Sequence, residues 1–391
     1  MRTIGTQAFG VRTPIIREGD DLVELIAASV MAAAVESGDD LCDNDIVGVT
    51  EAVLARAQGN YASINQISAD IAAKFPEGEI GVVLPIFSRN RFSMLLKGIA
   101  GGVKKVWLQL GFPSDEVGNM LISLDDLDAN GINPYSDNLT EPEFTKLFGN
   151  PLHQFTGVNY VEYYKSLADN IEIVFSNDPT YILKHTPYAL ACDIHTRART
   201  KRLLKAKGAK RVLGLDDVLT VPVQGSGFNP DYGLLGSNKA DEQRVKLFPR
   251  DCDAFTSALK ARLDSMFGVS TEVLVYGDGA FKDPVGGIWE LADPVVSPSF
   301  TAGLKGQPNE IKLKFLADNK YADLSGKELE DALRGEIKKK NVSLMGKMES
   351  EGTTPRRYVD LLGSLCDLVS GSGDKGTPVV VIRGYFDNFA V

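Results

Sequence analysis

The sequence predicts an α+β fold, with mixed sheets, flanking helices and two domains. Three observations lead there. Blocks of strand and helix character alternate through 46–111: "IVGVT", "EAVLARAQG", "EIGVVLPIF", "RNRFSMLLKGIAGG" and "KKVWLQLG". Such alternation builds layered α/β or α+β structure. The chain has 391 residues, and at roughly 150 residues per domain that length suggests two or three units. Hydrophobic residues make up 43% and charged residues 24%, an ordinary globular composition that can bury a sizeable core.

The elements follow in chain order. "DDLVELIAASVMAAA", residues 20–34, opens with acids and continues with apolar residues at helical spacing. Acids suit a helix N-terminus, where the dipole is positive. Ile46–Thr50 is a short β-type run, and Gly59 closes the unit that follows it. "EIGVVLPIF" reads as a buried strand, the next block as a helix ending in glycines, and "KKVWLQLG" as another strand. Residues 112–190 are rich in Asn, Pro, Gly and Asp, with one helix in "VNYVEYYKSLADN" and one strand in "IEIVFSN". A basic helix then runs to Gly208, followed by a strand; its cations fit either a solvated face or a phosphate partner. "DCDAFTSALKARLDSMFG" is an amphipathic helix leading into the strand "STEVLVYG". Charge-rich peripheral helices occupy 309–341. "PRRYVDLLGSLCDLVSGSG" is a helix with a glycine-rich stop, and "TPVVVIRGY" is the last buried strand.

Several function classes are disfavoured. Formal net charge is −10, whereas general nucleic-acid binding needs a cationic face that displaces counterions. Cys42, Cys192, Cys252 and Cys366 form no C-x-x-C pair, which argues against structural zinc and for a reducing cytoplasm. The first residues lack the apolar segment of a signal peptide, and no apolar run reaches the roughly 20 residues that span a bilayer. The expectation is a cytoplasmic protein without a membrane partner.

The common catalytic signatures are missing. The sequence has no G-x-x-x-x-G-K-[ST], no strand-linked G-x-G-x-x-G and no H-E-x-x-H. It has no G-x-S-x-G nucleophile elbow. "GSGDKGTP" at 371–378 lies between a helix and a strand, the reverse of the order in a phosphate cradle. His153, His185 and His195 are scattered. Carboxylates remain. Asp278 stands between two glycines after an apolar strand, followed by Asp283, Glu290 and Asp293. Ligands in open sheets gather at strand carboxyl ends, and magnesium needs only one or two carboxylates plus phosphate oxygens. An Asp between glycines is also a common turn residue, so the pattern alone leaves both readings open.

Five stretches in order resemble the coenzyme F420-0:L-glutamate ligase, or gamma-glutamyl ligase, family. They are "REGDDLVELIAASV", "DNDIVGVTEAVLARAQGN", "YGLLGSNKADEQRVKLFPRDCDAFTSALKARL", "VLVYGDGAFKDP" and "VDLLGSLCDLVSGSGDKGTPVVVIRG". The resemblance assigns 1–60 and 208–391 to the ligase core. It leaves 61–207 as a divergent region, either a second domain or an acceptor-binding part.

The resemblance implies a nucleotide-dependent amide ligase adding L-glutamate to a carboxylate acceptor through an acyl phosphate. It implies GTP or ATP as co-substrate, Mg2+ or Mn2+, and a homodimer. By position, Asp278 matches the family's strand-end metal ligand, Asp360 the acid opening the last helix, Ser237 and Asn238 its "SN" pair, and Arg56 a cation. The family's second metal-binding aspartate is Leu235 here, and a lysine is Ala52. Glu290 and Asp283 are the candidates to complete the metal site, with Arg89 and Arg91 for the nucleotide; Asp231 is a further substitute. The acceptor stays open between an F420-0-like and a folate-type molecule. A non-catalytic nucleotide-binding homologue and an unrelated phosphatase are the rival readings.

Overall fold

The computed structural model describes residues 4–84, 91–114, 118, 120–153, 157–193, 196–277, 281–282, 289–290, 297–340, 343–344, 347–350, 357–370 and 374–390. The first third gives β1 (Gln7–Val11), α1 (Leu22–Ser37), β2 (Ile46–Thr50), α2 (Glu51–Ala57), β3 (Tyr61–Ser63) and α3 (Ile64–Lys74). The middle gives β4 (Glu79–Leu84), α4 (Arg91–Gly101), β5 (Lys105–Leu110), α5 (Leu124–Ala129), β6 (Leu139–Thr140) and α6 (Glu141–Phe148). It continues with α7 (Tyr160–Lys165), β7 (Ile171–Phe175), β8 (Tyr188–Ala191), α8 (Arg197–Ala206) and β9 (Arg211–Gly214). The last part gives β10 (Asn238–Lys239), β11 (Arg244–Lys246), α9 (Cys252–Phe267), β12 (Glu272–Tyr276), β13 (Phe281–Lys282), β14 (Trp289–Glu290) and β15 (Ser299–Phe300). It ends with α10 (Leu313–Asp318), α11 (Gly326–Lys339), α12 (Tyr358–Ser370) and β16 (Val379–Arg383).

Two larger sheets organise the chain. The first has the order β1-β16-β2-β12-β15. It is mixed: β2 and β12 run parallel, while the other neighbours are antiparallel. Both faces are covered, so its strands read as continuous apolar runs rather than alternating ones. Val47, Val49, Val273 and Val275 face α1 and α9. Ile46, Leu274, Val380 and Ile382 face α12. Each fully buried aliphatic side chain contributes about 1.5–3 kcal/mol.

Sequence details fix how these helices sit. Asp21 caps α1 by accepting from the Glu24 amide at 3.2 Å. Gly48 in β2 makes room for α12, because a Cβ there would strike Cys366 Sγ. Gly48→Ala should therefore lower unfolding free energy by about 1–3 kcal/mol, read from urea denaturation; an unchanged midpoint would mean that α12 can retreat. α12 ends at Ser370, whose carbonyl accepts from Thr377 Oγ1 at 2.8 Å.

The second sheet has the order β6-β7-β5-β4-β8-β9. Its last five strands are mutually parallel, and only β6 is antiparallel. This part of the molecule is thus doubly wound α/β, more regular than the loop-rich composition of 112–190 suggests. Short helices and turns carry the Asn, Pro and Gly, while β5 and β7 stay apolar. The α3–α4 packing explains the glycines that end α4: a Cβ at Gly98 or Gly102 would press on Ile67 or on the Ser68 carbonyl. Phe144 stacks on Phe175 with ring centroids 3.9 Å apart.

A small sheet, β10-β11-β3, lies in the chain between these units. Asn60, fully buried, fastens it. Its Nδ2 donates to the Phe248 carbonyl at 2.7 Å, and its Oδ1 accepts from the Phe228 amide and from Arg250 Nη1 at 2.6 Å. No described helix is long and apolar enough to cross a membrane.

Candidate functional site

The parallel pair β2 and β12 aims two strand ends in one direction. Thr50 and Tyr276 are register partners. The next residue on one side is Glu51, and on the other Gly277 leads to Asp278. Ligands collect at such carboxyl ends because loops diverge there and leave a crevice. Asp278 and Asp283 lie outside the described residues, as do Arg89 and His195. Glu290 ends β14 and Arg91 opens α4, and only these backbone positions are described.

The Glu51 carboxylate is 2% exposed and meets Lys246 Nζ at 3.0 Å. Lys246 ends β11, where its strand partners are Asn238 on one side and Tyr61 on the other. Directly opposed residues of antiparallel strands share a face. The structure therefore brings Asn238, Lys246, Glu51 and the end of β12 at Tyr276 into one neighbourhood. Gln58 holds the following segment in place, with Nε2 on the Arg250 carbonyl at 2.6 Å and Oε1 on the Arg250 amide at 2.9 Å. Glu51 and Lys246 carried no sequence signal. Each is an ordinary charged residue until the fold buries them together, and a charged residue stays buried only when paired.

Acidic groups concentrate beside this pair. Burial pushes the Cys252 thiol up to about 12, with Asp253, Glu51 and Asp251 adding to the shift. Burial also raises Tyr232, helped by Asp231, Cys252 and Asp253. Asp253 accepts from Ser299 Oγ at 2.6 Å on the edge strand. Among the described residues no three His, Cys, Asp or Glu side chains are placed to hold a metal ion. All four cysteines are free, with Cys42 exposed. Iodoacetamide at pH 8 should label Cys42 and spare Cys252, whose thiolate is scarce there; peptide mapping that finds Cys252 alkylated first would contradict this.

Ser237 directly precedes Asn238, and the remaining sequence candidates stand elsewhere. Ser237 is buried, and its Oγ has no hydrogen-bond partner among the described residues. Arg56 is exposed near the end of α2, and five residues at 100° each place it about 140° round the helix from Glu51. Asp360 forms a forked pair with Arg357 at 2.8 and 3.0 Å in the first turn of α12. The neighbouring Tyr358 ring packs on Tyr385 and Phe386, just beyond β16. β16 ends beside Ile46, where β2 begins. Asp360 and Arg56 therefore belong to opposite ends of the five-stranded sheet, and the fold does not bring them together within one chain. Leu235 is 4% exposed and packs with Leu215, Val218 and Leu234 in the core beneath the six-stranded sheet. The position that would carry a carboxylate is closed by apolar packing.

Over 65 residues the chain is 35% identical to the coenzyme F420:L-glutamate ligase of Methanothermobacter thermautotrophicus, a stretch covering 16% of this chain and 24% of that protein. The family model described as F420-0:gamma-glutamyl ligase matches residues 10–384, so the chain belongs to the F420-0:gamma-glutamyl ligase family.

Proposed function

We propose that the protein is a cytoplasmic, nucleotide-dependent amide ligase that adds L-glutamate to a carboxylate acceptor, F420-0-like or folate-type. The observation that carries this reading is the convergence of Asn238, Lys246 and Glu51 on the carboxyl ends of β2 and β12, in a chain of this family. An acceptor oxygen attacks the terminal phosphorus of GTP or ATP, and the nucleoside diphosphate leaves. The glutamate nitrogen then attacks the acyl carbon, loses its proton and expels phosphate. Little covalent chemistry falls to the protein. Its work is to position the reactants, offset phosphoryl charge and keep water from the acyl phosphate.

Lys246 supplies a cation next to α2, where the resemblance shows Ala52 in place of a lysine. Asn238 and Ser237 would orient the nucleotide, Arg89 and Arg91 would meet its phosphates, and Arg56 stands at the rim. Asp278, Asp283 and Glu290 are the proposed ligands of Mg2+ or Mn2+. The described residues do not form a cation site by themselves. Asp360 can join this end of the sheet only from a second copy, which fits a homodimer.

The test is phosphate release from GTP or ATP with manganese, an acceptor pool and glutamate. Release that depends on glutamate supports the ligase; release without glutamate indicates a phosphatase. The buried Leu235 favours one rival, a nucleotide-binding homologue without turnover. Calorimetric nucleotide binding with no phosphate release under any acceptor would establish that rival.

A further inference from the structure

The six-stranded sheet carries a crevice that the ligase reading leaves unused. The chain builds β4, β5 and β7 outward in one direction, then returns to place β8 and β9 on the other side of β4. The sheet's switch point therefore lies between β4 and β8, where doubly wound sheets take their ligands. A cavity of about 610 Å³ opens there, at the carboxyl ends of β4, β5, β7 and β8. That volume suits a small organic molecule.

Two buried acceptors on its lining lack partners among the described residues. Gln109 is 2% exposed, and its Nε2 donates to the Ser176 and Asp178 carbonyls at 3.1 and 2.9 Å. Those bonds fix the amide orientation and leave Oε1 with no donor among the described residues. Asp193 is 1% exposed. Its Oδ2 accepts from the Thr196 and Thr200 hydroxyls at 2.5 and 2.9 Å, while Oδ1 has no donor among the described residues. Unsatisfied buried acceptors are rare and costly, and here two share one cavity.

Their spacing says what would satisfy them. Gln109 is paired with Val83, and Val83 with Ala191, two residues before Asp193. The two residues thus stand two strand spacings apart across the sheet and two residues apart along it, roughly 12 Å between their backbones. An ammonium group is too small to reach both. A molecule with separated hydroxyl and amino donors can do so. Pro113, Pro134, Pro179 and Tyr135 supply flat apolar walls for a planar ring. Arg199 lies at the rim, exposed and without an ion-pair partner among the described residues. It sits in the first turn of the ten-residue α8, whose N-cap Thr196 makes no side-chain cap bond. A guanidinium at a helix N-terminus favours an anion. The sequence after β4 is "PIFSRN", without the glycines that cradle a pyrophosphate.

We propose that this crevice binds a ribonucleoside 5′-phosphate at a site separate from the ligase centre, with ribose or base donors on Asp193 and Gln109 and the phosphate on Arg199. None of Glu51, Lys246, Asn238 or Tyr276 lines it.

Calorimetry on the full chain, in EDTA and without glutamate or GTP, tests this with AMP, GMP, adenosine and ribose 5-phosphate. AMP or GMP is expected to bind more tightly than ribose 5-phosphate. Arg199→Ala should weaken that nucleotide about tenfold or more, as loss of a charge-assisted bond does, and leave adenosine unchanged. Asp193→Asn should weaken both, and Asp278→Asn neither. The proposal is overturned if no probe binds, if ribose 5-phosphate matches the nucleotides, or if Arg199→Ala leaves nucleotide affinity intact. Binding is read without turnover, so an inactive ligase does not decide the result. An Arg199→Ala enzyme should also keep its glutamate-dependent phosphate release.

Discussion

Asp278→Asn is expected to reduce glutamate-dependent phosphate release by about a thousandfold, the effect of several kcal/mol of lost charge stabilisation. The unfolding transition should stay where it is. Asp278 follows β12, and what holds β12 is apolar: Val273, Leu274 and Val275 are fully buried. The amide keeps the size of the carboxylate and removes its charge. The measurement is kcat across a manganese titration, paired with a urea midpoint. Wild-type turnover in the variant would take Asp278 out of the site. A large fall in midpoint would mean instead that the residue holds the turn.

Lys246→Met is expected to destabilise the fold by about 3–5 kcal/mol, because it removes the cation from a buried ion pair. Glu51 is 2% exposed and the Lys246 side chain 12%, so water replaces little of the lost interaction. Stabilities of 5–15 kcal/mol are typical, which makes this a large share. The double variant Glu51→Leu, Lys246→Met should recover most of the loss, since apolar replacement of a whole buried pair is often neutral. Urea unfolding of the three variants measures both effects. A single-variant cost under about 1 kcal/mol is the value of a surface pair and would show that solvent reaches Glu51. The two experiments separate roles, because Asp278→Asn acts on turnover and Lys246→Met acts on stability as well.

Much of the architecture was legible in the residues. The apolar runs Ile46–Thr50, Glu272–Tyr276 and Val379–Arg383 announced buried strands, and all three lie together in one sheet. The acids at 20–21 marked the start of α1. These signals are local, arising from periodicity, caps and turn residues, so a sequence displays them directly. The five ordered stretches also identified the family. The edge strand β1 and the short strands β10, β11 and β15 were less legible, since two to five residues carry too little pattern to stand apart from loops.

Which residues share a site is a different kind of fact. Glu51 and Lys246 are 195 positions apart, and only the pairing of β3 with β11 brings them together. Leu235 looked like a missing metal ligand, and packing shows it as a core residue of the second sheet. The order of the six-stranded sheet came from pairing alone, because each strand states that it is buried but not which neighbour it takes. Sequence by itself determined the elements, the apolar core and the family. Tertiary structure decided which charges are buried in pairs, that Arg56 and Asp360 lie at opposite ends of one sheet, and that Gln109 Oε1 and Asp193 Oδ1 line a crevice with no donor among the described residues. Propensity and periodicity act over a few residues, while burial and electrostatics depend on distances that exist only once the chain has closed on itself.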